Sequence, residues 1–114
     1  MAVGNIAILC LPVRLTGTVA AHRFVTPGGA QAGADAVTLG VARHAGVSGD
    51  LSPVDSQGTV KVEAGAAIAV GATLKADASG RAITWATSGA KIATALTAAS
   101  AAGDFIEAQL IPNG

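Results

Sequence analysis

The chain has few of the residues from which chemistry is built. It carries one cysteine, no tyrosine, one tryptophan (Trp85), two phenylalanines (Phe24 and Phe105) and two histidines (His22 and His44) in 114 residues. A single cysteine cannot close an internal disulfide, so the fold does not depend on an oxidising compartment. Charged residues make up 12% of the chain, about half the usual share. The seven basic residues balance seven acidic ones and are scattered singly, so no basic patch exists to hold a phosphate backbone. Three aromatic rings do not make a stacking platform for single strands, and nucleic acid is not expected as a partner. The longest strongly apolar run, Ile6 to Val13, is far shorter than the ~20 residues a membrane-spanning helix needs. No Lys or Arg precedes that run, Pro12 and Arg14 close it early, and Leu9 rather than a small residue stands before Cys10, so neither export nor a membrane partner is expected.

Catalytic and metal-binding patterns are also lacking. His22 and His44 show no ligand spacing and no nearby Cys pair, so a zinc site has nothing to complete it. Cys10, among Ile8, Leu9 and Leu11, reads as a small buried hydrophobe, with no nucleophile motif around it to support a Cys–His dyad. Asp35, Asp50, Asp77 and Asp104 all fall in turn sequences, where Asp accepts local backbone N–H groups. The glycines form no phosphate cradle, and Asp77-Ala78-Ser79-Gly80 is not followed by the alternating oxygen ligands of a calcium loop. Lys75, just before that turn, invites comparison with biotinyl and lipoyl carrier domains, but the turn itself holds no Lys. The expectation is a protein that is not an enzyme and needs no cofactor or metal.

What the chain does have is glycine, alternation and turns. Fifteen glycines, period-two apolar patterns and turn signals about every ten residues point to short strands rather than helices. Val60 and Val62 alternate with Thr59, Lys61 and Glu63; Ile83 and Trp85 share a face; Val37, Leu39 and Val41 form another set. Ile106, Ala108 and Leu110 make one apolar face of a last strand whose other face has apolar ends, so that strand is expected to be covered on both sides. Leu15 to Ala20 and Arg23 to Thr26 are weaker candidates. Turns are expected at Pro27-Gly28-Gly29, Gly33-Ala34-Asp35, Ser48-Gly49-Asp50, Asp77 to Gly80, Ser88-Gly89 and Gly103-Asp104. A surface with so few charges and no net charge favours association, so partner proteins should cover much of it.

An internal repeat organises these pieces. Residues Gly40 to Leu51 align without gaps on Thr94 to Phe105, each running through small residues to a Gly-Asp turn, and Phe24 to Ala30 matches Leu74 to Arg81 across a small loop difference. The expected fold is all-β: a small β-barrel or sandwich of two similar tandem β-units, with half-repeats at about 20–57 and 72–114 in one domain, 15–114. Residues 1–14 lie outside the repeat and read as an extended N-terminal arm. Its apolar residues Ile6, Ile8, Leu9, Leu11 and Val13 are the candidate partner-binding set, seeking a sheet edge in this chain or a neighbour.

Arg23-Phe24-Val25, Leu39 to Ala42, Val60 to Ile68, Asp77 to Ala82 and Ala95 to Ile106, in that order, carry a resemblance from about Arg23 to Pro112. In them the chain resembles the capsid cement, or head decoration, proteins of tailed bacteriophages. It departs at Thr94-Ala95-Leu96, where a second Gly-Val-Ala would be looked for, and its arm matches least. The resemblance implies a structural protein, made in the host cytoplasm, that joins the outer surface of the assembled head. There it would associate with itself as a trimer, or else a dimer, and clamp adjacent subunits of the major capsid protein. A tail or baseplate component, or a secreted adhesin module, is the alternative within the structural class.

Overall fold

The computed structural model describes residues 7–86 and 88–111. They form eight strands: β1 (Ala7–Arg14), β2 (Phe24–Val25), β3 (Gly40–Ala42), β4 (Leu51–Glu63), β5 (Thr73–Ala76), β6 (Ala82–Thr84), β7 (Ala93–Ala95) and β8 (Phe105–Leu110). All named pairings are antiparallel, in the order β2-β3-β4-β8-β7-β5-β6, with β1 added on β4. The two ends of this path meet. Phe24 N–H donates to Gly80 O at 2.8 Å, the Arg23 and Gln31 side chains donate to Ser79 O, and Ala64 and Ala82 form a parallel bridge. The result is a nearly closed β-barrel.

β4 is the hub. Over Leu51 to Gly58 it pairs with β1, at Val54 and Asp55 with β3, and over Thr59 to Glu63 with β8. The change of partner falls at Gly58, whose φ of 97° is a conformation that side chains beyond glycine rarely adopt.

Alternation decides what is inside. On β8, Ile106, Ala108 and Leu110 are buried; on β4, Val60 and Val62 are fully buried. These pack with Phe24, Leu74, Ile92 and a lining of alanines into the main core, while Leu15, Val19, Val25, Ala42 and Val54 form a smaller one. Burying each of the larger apolar side chains contributes about 1.5–3 kcal/mol. The alanines leave room inside a narrow barrel for these few large groups.

Several expectations are corrected. Cys10 is exposed rather than buried, because on β1 it alternates with the half-buried Leu11 and Val13. The outer face of β8 is not covered within the chain: Phe105 is 41% exposed and Gln109 is exposed. Of the set Val37, Leu39 and Val41, only Val41 lies in a strand, and Val37 is 52% exposed. Between Leu15 and Ala20 there is a single bridge, Val19 to Gly46. The expected turns do contain the left-handed residues Gly29, Asp35, Gly49, Gly80, Gly89 and Gly103. In three of them Asp accepts as anticipated: Asp50 from Val47 N–H, Asp77 from Ser79 and Arg81 N–H, and Asp104 from Ser100 and Ala101 N–H.

Candidate partner-binding surface

The sparse polar residues do not converge on a catalytic centre. Among the described residues, no three His, Cys, Asp or Glu side chains are grouped to hold a metal ion. His44 is exposed and borders a groove with Asp50, Leu51 and Ser52, whereas His22 lies half-buried with its ring edge-on to Phe105 at 5.4 Å. Burial and then the nearby Lys61 ammonium push the His22 pKa below its ordinary value. The Cys10 thiol is pushed up, first by the burial it has and then by Asp55, so it stays protonated and is a poor nucleophile. Lys75 is held by Asp35 at 2.7 Å and by Ser88 O at 3.1 Å, a structural role and not that of a presented carrier lysine.

Asp55 is the strongest buried electrostatic feature. Its side chain is 2% exposed and takes a two-point contact from Arg43, at 2.7 and 3.4 Å. At the barrel seam Glu63 receives both Arg23, at 3.4 Å, and Arg81, at 3.5 Å. No sequence pattern marks either cluster, because each brings a β4 acid together with arginines from distant loop positions.

The surface features that remain are an edge and exposed apolar side chains. β1 pairs with β4 alone among the described strands. Leu15 N–H donates to Asp50 O at 2.8 Å, so in the ladder that continues from it Val13 and Leu11 face β4, and Cys10, Pro12 and Arg14 turn their backbone groups outward. Of the arm residues, Ile6 lies outside the described residues and Ile8 and Leu9 lie in β1. Leu11 and Val13 are half-buried, with Val13 packed against the smaller core. The structure therefore places the described arm residues on one strand, and that strand is paired with its own domain. Exposed apolar side chains occur elsewhere: Val47 at 55% and Leu51 at 63% beside two adjoining grooves, and Val37 and Ile111 at the mouth of a third cavity of about 400 Å³. The sequence reading missed Val47 and Leu51 because each is a single apolar residue beside a turn or at a strand end, and it had placed Val37 in a strand.

No curated protein matches the chain. A crystal structure of the head fiber gp8.5 N base of bacteriophage phi29 is similar, with a TM-score of 0.74, 21% sequence identity, and 90% of this chain and 93% of that chain covered. At that identity the likeness establishes the fold. The phage cement protein family's model matches residues 4–110, nearly the whole barrel, and the chain therefore belongs to that family of capsid-associated structural proteins.

Proposed function

We propose that this protein binds the outer surface of an assembled phage head and clamps adjacent subunits of the major capsid protein, associating with itself as a trimer. The family match across the barrel carries this reading. The exposed Val47, Leu51 and Phe105, on a surface with little charge to keep it apart from neighbours, support a role in contact with other proteins. A protein that binds only the intact lattice stabilises it by mass action.

The barrel is read as two copies of one β-unit. The supporting observation is that its strand pairings recur in register. Val13 with Ser52 is repeated by Val62 with Ile106, and Leu11 with Val54 by Val60 with Ala108. Phe24 with Val41 is repeated by Thr73 with Thr94, and Val41 with Asp55 by Thr94 with Gln109. On this reading the first unit runs from about Cys10 to Asp55 and the second from about Thr59 to Gln109, with β4 serving both. The arm is then the stretch before Cys10, and Ile6, Ile8 and Leu9 are its contact residues, with Leu11 and Val13 anchoring it to the barrel.

Mixing the protein with bare heads tests the proposal. Bound protein should appear on the outer surface by electron microscopy and raise the temperature at which heads release their contents. Ile6→Ser/Ile8→Ser should weaken binding while the unfolding transition stays in place. Heads that remain undecorated by the wild-type protein would refute the capsid reading, and full binding by the double variant would remove the arm from it.

A further inference from the structure

His22 occupies a backbone position suited to glycine. Its φ is 62°, left-handed, which costs a side-chain-bearing residue energy that glycine avoids. The recurring hydrogen-bond pattern makes the comparison direct. His22 N–H donates to Ala42 O at 2.8 Å, and the matching bond later in the chain, Gly71 N–H to Ala95 O, also 2.8 Å, is made by a glycine with φ of 86°. A strained residue persists where its surroundings hold it, and the surroundings of His22 are specific. Its carbonyl accepts Glu63 N–H at 2.9 Å, and its ring meets Phe105 edge-on, 5.4 Å between centroids. One residue thus joins the approach to β2 with the end of β4 and the start of β8.

The charges around the ring favour its neutral form. From β4, the Lys61 ammonium lies 4.8 Å from the centre of the Phe105 ring that His22 touches, and from the loop after β3, His44 adds a second like-charge effect. Glu63, the acid that would welcome an imidazolium, is already shared by Arg23 and Arg81. Glu107 stands opposite Lys61 in the β4–β8 register. A hydrogen bond to the Lys61 backbone and, to a smaller extent, the Glu63 charge work in favour of the charged ring, but burial and the Lys61 ammonium outweigh them.

We propose that His22 is an acid-sensitive latch: its neutral ring, held on Phe105 by a glycine-like backbone, closes the joint between β2 and the β4–β8 ladder, and a proton taken up beside Lys61 loosens that joint. Opening it uncovers Phe105, already 41% exposed, and frees the Glu63 N–H. The sign follows from the depressed pKa. The unfolded chain binds the proton more readily, so the latch contributes in full above the ordinary histidine value of about 6.5 and is lost as the pH falls through and below it.

The test compares thermal unfolding from pH 8 to pH 5 for the full chain and for His22→Phe, His22→Gly and His44→Gln. The wild type and His44→Gln should lose several degrees more on acidification than His22→Phe, which keeps a ring without a titrating nitrogen. His22→Gly, which relieves the backbone, should match His22→Phe in its flatter profile and supplies the comparison if the Phe variant does not fold. Amide exchange at Glu63, corrected for its intrinsic pH dependence, should accelerate several-fold at pH 5 in the wild type only. An acid-side loss that is the same in the wild type and the His22 variants, or an unchanged exchange rate at Glu63, overturns the latch.

Discussion

Pro12 stands directly opposite Pro53 in the β1–β4 pairing. Two prolines fit there because the pair is a non-hydrogen-bonded one: the bonds of this ladder run through Leu15, Val13 and Leu11, so neither missing N–H is called on within it, while on its other side Pro53 O accepts Arg43 N–H. The outward-facing backbone of Pro12 lies on the open edge of β1, where it removes a donor that an added strand would use. Proline on an edge is a common guard against uncontrolled strand addition.

Replacing Pro12 with Thr should therefore leave the barrel folded and raise its tendency to self-associate. Sedimentation velocity over a concentration series would register the change. A Pro12→Thr protein as monodisperse as the wild type would show that the edge is protected in some other way.

Ser52 is buried to 4% exposure with its hydroxyl lacking a partner in the structure, and on the proposed two-unit reading its counterpart is the fully buried Ile106. An unsatisfied buried hydroxyl costs about 1–3 kcal/mol. Ser52→Ala should stabilise the protein by about 1 kcal/mol, read as a higher denaturant midpoint with an unchanged slope. A lower midpoint would mean that the hydroxyl is bonded in solution.

Asp55, buried, depends on Arg43 for two charge-assisted contacts. Arg43→Ala should destabilise the fold by about 2 kcal/mol, and Arg43→Lys by less, since an ammonium keeps the charge but not the fork. Chemical denaturation of the three proteins orders them, and equal stabilities would assign Asp55 to its other neighbours.

Gly40 is held by close approach: a methyl group there would collide with the backbone oxygen of Asp55, whereas at Gly17 it would meet nothing. Gly40→Ala should cost about 1–3 kcal/mol, and Gly17→Ala should be close to neutral. Comparable midpoints for the two would indicate that β3 and β4 shift apart easily.

The Asp104 carboxylate accepts from the Ser100 hydroxyl, Ser100 N–H and Ala101 N–H, which hold its pKa below the ordinary 3.8. A depressed carboxyl contributes stability above its unfolded value and loses it as the pH falls from there through the folded one. Asp104→Ala should accordingly be less stable than wild type at neutral pH and approach it as the pH falls below the ordinary carboxyl value of 3.8, as followed by acid unfolding. A constant gap at all pH values would point to lost packing instead.

The sequence made some of this architecture readable and hid the rest for physical reasons. β8 and the β5–β6 hairpin were legible because one face of each alternates and their turn is signalled by Asp77 and Gly80. The first half of β4 was not. Pro53, Asp55, Ser56, Gln57 and Gly58 have the composition of a loop, and they become strand because β1 and β3 pair with them and Arg43 satisfies Asp55. Cys10 was misjudged because an unbroken apolar run conceals which residues face in. On the two-unit reading proposed above, the alignment of Gly40 to Leu51 on Thr94 to Phe105 matches the Gly-Asp turns but sets the preceding strands one residue out of step. Val41 occupies the place of Thr94, not Ala95. Of the candidate interface, only the apolar character of β1 could be read; the exposure of Val47, Leu51 and Phe105 depends on which way each strand turns when the barrel closes.

The double use of β4 has a consequence for how the molecule is made. Everything that β1, β2, β3 and the first part of β4 pair with in one another precedes β5 in the chain and is synthesised before it. The second part of β4 then extends from that finished ladder as a seam, waiting for β8. The two halves therefore share one strand, and a fault in β1 is passed through β4 to β8, which β1 does not pair with.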